Sequence, residues 1–324
     1  MIITDRVYGK IEINEPVLLE LMQSFPLERL KGINQAGASQ YALNKPINRY
    51  EHSVGVMILL KILGAPLEEQ IAGLLHDVPH TAFSHVIDYV FENEDHEFHE
   101  KFHEEIIKKS DIPGILKKYN FDLDRLLDEN NFPLLERKLP DLCADRIDYA
   151  LRDRVGYLKE GERVASYIAD FVTVNNEIVF SKPDIALYFA KDFLDMDYRV
   201  WSAPLEIALF QILANAIKIA LAENIISKDD LFEDDKFVYD KLKNSANQQV
   251  LDLLAKLNPK LVIDFDKNNY DFFSKNKLRF VDPKFVDTDG NLKRVTERFP
   301  EFIDDLKKHE DWTLGGHYIK IKSW

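Results

Sequence analysis

The sequence predicts a mainly α protein: a helical bundle interrupted by a short β-hairpin and followed by a small α+β appendage. Three observations carry that prediction. From about Glu15 to Leu158, apolar residues recur at helical spacing in VLLELMQSF, SVGVMILLKIL, LEEQIAGLL, AFSHVIDYVF and CADRIDYALRDRVGYL. Residues 170 to 181, DFVTVNNEIVFS, read as two short strands about Asn175-Asn176, a pair suited to a tight hairpin turn. Beyond Pro259, the β-like runs LVIDF, LRFVD and HYIKIK surround a helix-like EFIDDLKKH.

Taken in chain order, the first helices are separated by QAGASQ around Gly37, by GAP at Gly64 to Pro66 and by IPG at Ile112 to Gly114, where glycine and proline interrupt the periodicity. Within HDVPHTAFSH, residues 76 to 85, Pro79 biases Val78 away from the helical region and suits the first turn of a new helix. A break after Asp77 is therefore expected, with a new helix opening at Pro79. Helices resume after the hairpin, from about Asp184 to Leu257. The division this predicts is a helical domain over 1–258 and an appendage over 259–324.

Composition narrows the function. The chain has 324 residues, 46% of them hydrophobic, which is ample for a packed core. No run of about 18 uninterrupted apolar residues occurs, and MIITDRVYGKIEI has neither a basic segment nor an apolar signal core, so a cytoplasmic protein with no membrane partner is expected. The segment APLEIALFQILANAIKIALA suits a core or the interface of a homo-oligomer. Cys143 is the single cysteine, which excludes an internal disulfide and a thiolate zinc cluster. A formal charge of −14 argues against broad binding of nucleic acid or anionic membranes, while leaving room for a small anionic substrate met by local positive groups.

The nine histidines are unevenly placed: seven lie between His52 and His103, the others being His309 and His317. In DHEFHEKFHEE, His96, His99 and His103 fit either a solvated acidic face or a site. His76 and Asp77 are different, because they follow the apolar IAGLL and arrive together at the end of a core helix. Burying an imidazole and a carboxylate without a partner is costly, and a divalent cation is the simplest partner for both. His80 and His85 then face the same cleft from the next segment. At about 100° per residue, Asp145, Tyr149 and Asp153 form one polar stripe on a helix whose other face carries Ile147, Leu151 and Val155. A carboxylate from that stripe would complete a site begun by His52, His76 and Asp77.

The order His52, then His76-Asp77, then Asp145 resembles the H…HD…D signature of the HD-domain metal-dependent phosphohydrolases. More narrowly, NRYEHSVGV, HDVPHTAFSH and ADRIDYALRD resemble the branch containing the deoxynucleoside triphosphate triphosphohydrolases, most clearly over residues 28 to 158. The resemblance implies an HD-domain helical bundle in which His52, His76, Asp77 and Asp145 bind one divalent metal ion (Mn, Mg, Fe, Ni or Zn). It further implies that His80 and His85 line the reaction centre and that a further catalytic histidine comes from EFHEKFHEE, with His99 the closest match and His103 its rival. By the same resemblance Arg49 meets phosphate oxygens, Gln35 the sugar, and Tyr149 with Asp153 the 3′-hydroxyl side of a deoxyribose. Trp201, in DMDYRVWSAP, falls where the family tends to place a base-facing tyrosine.

The expected activity is hydrolysis of a dNTP to deoxynucleoside and triphosphate. The alternatives are a nucleotide phosphatase or phosphodiesterase of the same superfamily, and a nucleotide-binding sensor without turnover. Dinuclear HD proteins use two further separated histidines, and no histidine occurs between His103 and His309.

Overall fold

The computed structural model describes residues 1–45, 47–92, 98–275 and 277–324. It opens with a hairpin the sequence did not announce, Ile2–Asp5 paired antiparallel with Gly9–Glu12. Neither four-residue strand buries a residue, so no apolar face marks them in advance.

The helices Pro16–Leu21, Phe25–Leu30, Arg49–Ile62, Leu67–Leu75 and Ala144–Asp153 follow, and their apolar faces meet in one core. Asn48 starts the Arg49–Ile62 helix by accepting a 2.8 Å hydrogen bond from the Glu51 amide. Val54 to Leu60 are all buried there, because the Leu67–Leu75 and Ala144–Asp153 helices cover this rod. Each such Leu or Ile contributes about 1.5–3 kcal/mol by leaving water. Gly55 and Gly73 permit the close approach: a Cβ at Gly73 would press on Leu60 and Val56, and one at Gly55 on Arg152 and Asp148.

The HDVPHTAFSH segment differs from expectation. The Leu67–Leu75 helix does end at His76, but no helix begins at Pro79; the next one is Val86–Val90. Turns fill the gap, with Phe83 at φ +63° and Ser84 at φ +52°. Tertiary partners explain the difference, since the Ala82 amide donates to the Leu231 carbonyl at 2.8 Å and the Phe83 amide to Asp235 Oδ1 at 2.6 Å. The amides that a helix would need are engaged elsewhere.

Phe171–Val174 and Glu177–Phe180 form the expected hairpin, with Asn175 and Asn176 both at positive φ. Its second strand continues into a sheet with Lys284–Val286 and Leu292–Arg294. A second core surrounds the Pro204–Ala222 helix. Among the described residues this is the one helix long and apolar enough to cross a membrane, yet it buries Ile207, Leu209, Ile212, Leu213 and Ile217 inside the protein.

Residues after 259 are woven into both cores. Val281, Phe285, Val295 and Phe302 join the first, and Ile319 joins the second. Val262–Phe265, Phe272–Ser274 and His317–Ser323 make a three-stranded antiparallel sheet, and Phe302–Gly315 is the expected helix. LRFVD, however, is not a strand: residues 278 to 282 run as a loop between Phe272–Ser274 and Lys284–Val286.

Candidate active site

Arg49 and His52 sit three residues apart in the first turn of their helix, so both project from one face. His76 caps the Leu67–Leu75 helix and Asp77 follows it into the turn. Asp145, Tyr149 and Asp153 come from successive turns of Ala144–Asp153. These elements surround a cleft of about 460 Å³, within the range of small-molecule sites. All eleven residues selected from the sequence line it: Gln35, Arg49, His52, His76, Asp77, His80, His85, His99, Asp145, Tyr149 and Asp153.

At its floor, ligand atoms of His52, His76 and Asp77 lie within 4.8 Å of one another. Asp145 Oδ1 completes the group, 2.9 Å from His52 Nε2 and 3.4 Å from His76 Nε2. The chemistry of this donor set suits a divalent cation. His76 Nδ1 donates to the Gly73 carbonyl at 2.8 Å, which leaves Nε2 as the ring nitrogen turned to this group. That Nε2 is buried and makes no hydrogen bond among the described residues. His52 lies between two carboxylates, with Nδ1 2.8 Å from Asp148 Oδ2 and Nε2 facing Asp145. Burial opposes a charged ring, but the hydrogen bonds to Asp145 and Asp148 prevail and push its pKa up to about 10. With a cation between His52 and Asp145, Asp148 would remain as the orienting partner behind the His52 ring.

Asp148 was missed in the sequence because it lies off the Asp145–Tyr149–Asp153 stripe. It is fully buried and receives Arg152 through two hydrogen bonds of 2.8 and 2.9 Å, and Tyr8 Oη donates to it at 2.9 Å. Its spacing to Arg152, four residues, was the available signal.

Beside this group His80 Nε2 stands 3.2 Å from Asp77 Oδ1, and the His80 ring stacks on His99 with centroids 3.7 Å apart. Burial and the nearby Arg49 charge push His80 down to about 3, and burial above all holds His99 well below the usual imidazole range. Both rings are therefore neutral at neutral pH. His85 packs edge-on to His80 and holds Asp88 through Nδ1 at 2.9 Å. Arg49 reaches Asp77 Oδ2 at 2.8 Å and the Ser84 hydroxyl at 3.0 Å. His103 instead turns away to the Leu75 carbonyl, 3.3 Å from its Nε2, while His96 lies outside the described residues.

Asp153, two helical turns from Asp145, makes the other end of the cleft with Tyr149 and Trp201, and Gln35 also lines it. Trp201 Nε1 donates to Asp153 Oδ2 at 2.8 Å and its ring stands edge-on to Tyr149. Asp153 Oδ1 and Gln35 Oε1 are buried without partners among the described residues. Burial raises the Asp153 carboxyl to about 6, against the pull of the Trp201 N–H and of Lys45. Lys45, Tyr157 and Glu206 also line this end and were not singled out in the sequence: Lys45 and Ser39 both bind Glu206, and Lys45 Nζ sits 4.8 Å from the Tyr157 ring centroid. Their separation along the chain hides the cluster.

Residues 49–153 match the model of the HD domain, a stretch that contains His52, His76, Asp77 and Asp145. The chain is 40% identical to the uncharacterized protein YdhJ of Bacillus subtilis over 99% of both chains. It is 32% identical to the metal-dependent phosphohydrolase cns2 of Cordyceps militaris over 87% of this chain and 84% of that protein. A shorter stretch, 27% of this chain and 16% of the relative, is 35% identical to the deoxynucleoside triphosphate triphosphohydrolase SAMHD1 of Xenopus laevis. A solved phosphohydrolase from Bacteroides thetaiotaomicron, BT4208, shares the fold over 100% of both chains with a TM-score of 0.75 at 18% identity. The ligand geometry and these similarities agree, and the chain belongs to the HD-domain metal-dependent phosphohydrolases.

Proposed function

We propose that the protein hydrolyses a nucleotide, with a dNTP as substrate and deoxynucleoside plus triphosphate as products. One observation carries this reading: a single cleft joins a cation-ready His/Asp group, a cluster of neutral histidines and an arginine at one end to a polar and aromatic pocket at the other. A phosphate at the first end and a sugar and base at the second would match that division.

In this reading His52, His76, Asp77 and Asp145 hold one divalent ion, which supplies Lewis-acid polarisation of a phosphoryl group and lowers the pKa of a water. Arg49 offsets charge on phosphate oxygens from a guanidinium already fixed by Asp77 and Ser84. His80, stacked on His99, has a buried Nδ1 without a partner among the described residues, which places a ring nitrogen to accept a proton. Asp88 accepts from His85 Nδ1 and fixes the ring from which a proton would pass to the leaving oxygen. Gln35, Tyr149 and Asp153 contact the sugar, and Asp153 Oδ1 is the acceptor for its hydroxyl.

The test is turnover by purified protein with Mn²⁺, Mg²⁺, Fe²⁺ or Ni²⁺ on a panel of dNTPs, NTPs, nucleoside monophosphates and cyclic dinucleotides, with product analysis. Inorganic triphosphate among the products supports the proposal; inorganic phosphate from monophosphates, with no action on dNTPs, replaces it with a phosphatase. Asp77→Ala is expected to lose bound metal by elemental analysis, and stoichiometric metal in that variant would refute the ligand set.

A further inference from the structure

The substrate proposed above carries several negative charges, yet most cations of the cleft are already neutralised. Arg49 is 2.8 Å from Asp77, Arg146 is 3.3 Å from Glu136, and Lys45 is bound to Glu206. Arg279 differs from these three. Its Nη1 lies 3.9 Å from Asp197 Oδ1, too far for a hydrogen bond, and Asp197 is already occupied by His309 Nε2 at 2.8 Å and by the Ser202 hydroxyl at 2.7 Å.

Arg279 comes from the loop that replaces the expected LRFVD strand, and Lys277 and Leu278 of the same loop also line the cleft. The loop is tied at both ends. Phe272–Ser274 pairs with His317–Ser323 before it, and Lys284–Val286 pairs with Leu292–Arg294 and meets Phe180 after it. Immediately beyond Arg279, Val281 is fully buried and the Asp282 amide donates to the Pro140 carbonyl at 3.0 Å. Thr296 binds the Asp282 carboxylate through both its amide, at 3.0 Å, and its hydroxyl, at 2.6 Å, and Arg294 donates to the Asp282 carbonyl at 2.8 Å. A loop anchored in this way presents a preformed charge, which avoids ordering it on binding. The guanidinium is also close enough to oppose the burial-driven rise in the pKa of the Tyr149 and Tyr89 phenols, both on the cleft wall.

We propose that Arg279, delivered by the C-terminal chain, binds the outer phosphates of the substrate and makes the cleft selective for a polyphosphate over a monophosphate. This rests on the phosphohydrolase reading given above, and it gives the residues after 259 a part in substrate choice. Arg279 acts by binding, so its loss is felt in affinity for the phosphate chain and not in the metal group.

The test is isothermal titration of the full-length, metal-loaded protein with inorganic tripolyphosphate, inorganic phosphate and deoxyadenosine, each with Mg²⁺ in excess, for wild type, Arg279→Ala and Arg279→Lys. Losing a charge-assisted contact is expected to weaken tripolyphosphate about tenfold or more in Arg279→Ala, with a smaller loss in Arg279→Lys. Deoxyadenosine affinity, metal content and melting temperature are expected to stay at wild-type values, which separates a binding role from misfolding. Wild-type affinity for tripolyphosphate in Arg279→Ala, or equal weakening of tripolyphosphate and deoxyadenosine, would overturn the proposal while leaving the functional reading intact. A wild-type protein that binds neither tripolyphosphate nor a dNTP would overturn both.

Discussion

At Asp153, burial has raised the carboxyl to about 6, and one of its oxygens is held by Trp201 while the other has no partner among the described residues. The sign of the resulting pH dependence follows from linkage. The folded pKa is above the unperturbed value of about 3.9, so folding takes up a proton between those limits, and the stability contributed by the neutral form is lost as pH rises through about 6. Ligand binding has the opposite sign. A sugar hydroxyl donating to Oδ1 prefers the ionised carboxylate, so affinity is expected to rise from pH 5 to pH 7 with an apparent pKa of about 6. A deoxynucleoside is the right probe because it has no phosphate of its own to titrate. Its affinity in Asp153→Asn should be weaker and nearly flat with pH; an undiminished inflection in that variant would remove Asp153 from sugar recognition.

Between elements, contact depends on residues that have no room to change. Gly55 lets the Arg49–Ile62 helix lie against the buried Asp148–Arg152 pair, where a Cβ would strike the Arg152 guanidinium and the Asp148 carboxylate. Gly55→Ala should therefore displace the partner of His52, at an overpacking cost of about 1–3 kcal/mol, with a lower melting temperature and weaker metal binding measured together. Gly114, in the Ile112–Lys118 helix, has nothing within 4 Å of its would-be Cβ, so Gly114→Ala should gain up to about 1 kcal/mol from helix propensity and leave metal binding unchanged. Equal effects of the two substitutions would show that the Gly55 contact does not matter. The same contrast explains what could be read in the sequence. Asn175-Asn176 predicted a turn because the positive φ it requires is a local property, and His52, His76-Asp77 and Asp145 stood out by residue type and order. Asp148 and the path of residues 278 to 282 depend on partners far along the chain, Tyr8 in one case and Pro140 and Thr296 in the other. Local periodicity carries no trace of them.

Across the whole molecule, the two cores are joined through a carboxylate that touches no substrate-facing atom. Asp235, at the start of the Asp235–Lys243 helix, accepts hydrogen bonds from the Asn34 amide at 2.9 Å, the Phe83 amide at 2.6 Å and Gln40 Nε2 at 2.6 Å. Asn34 adjoins Gln35, and Phe83 adjoins Ser84 and His85, so one buried side chain sets the position of the sugar end and the histidine turn together. Gly37, at φ +49°, completes the junction, since a Cβ there would sit 2.5 Å from the Phe83 carbonyl oxygen. Asp235→Ala leaves two buried backbone N–H groups unsatisfied, at about 1–3 kcal/mol each. The expected result is a lower melting temperature and a marked fall in kcat/KM with metal stoichiometry kept, because His52, His76, Asp77 and Asp145 all belong to other segments. Asp235→Asn, which retains an acceptor oxygen, should recover part of both losses. Loss of metal in step with activity in Asp235→Ala would mean that the second core supports the ligand group itself, and not the turns that carry Gln35 and His85.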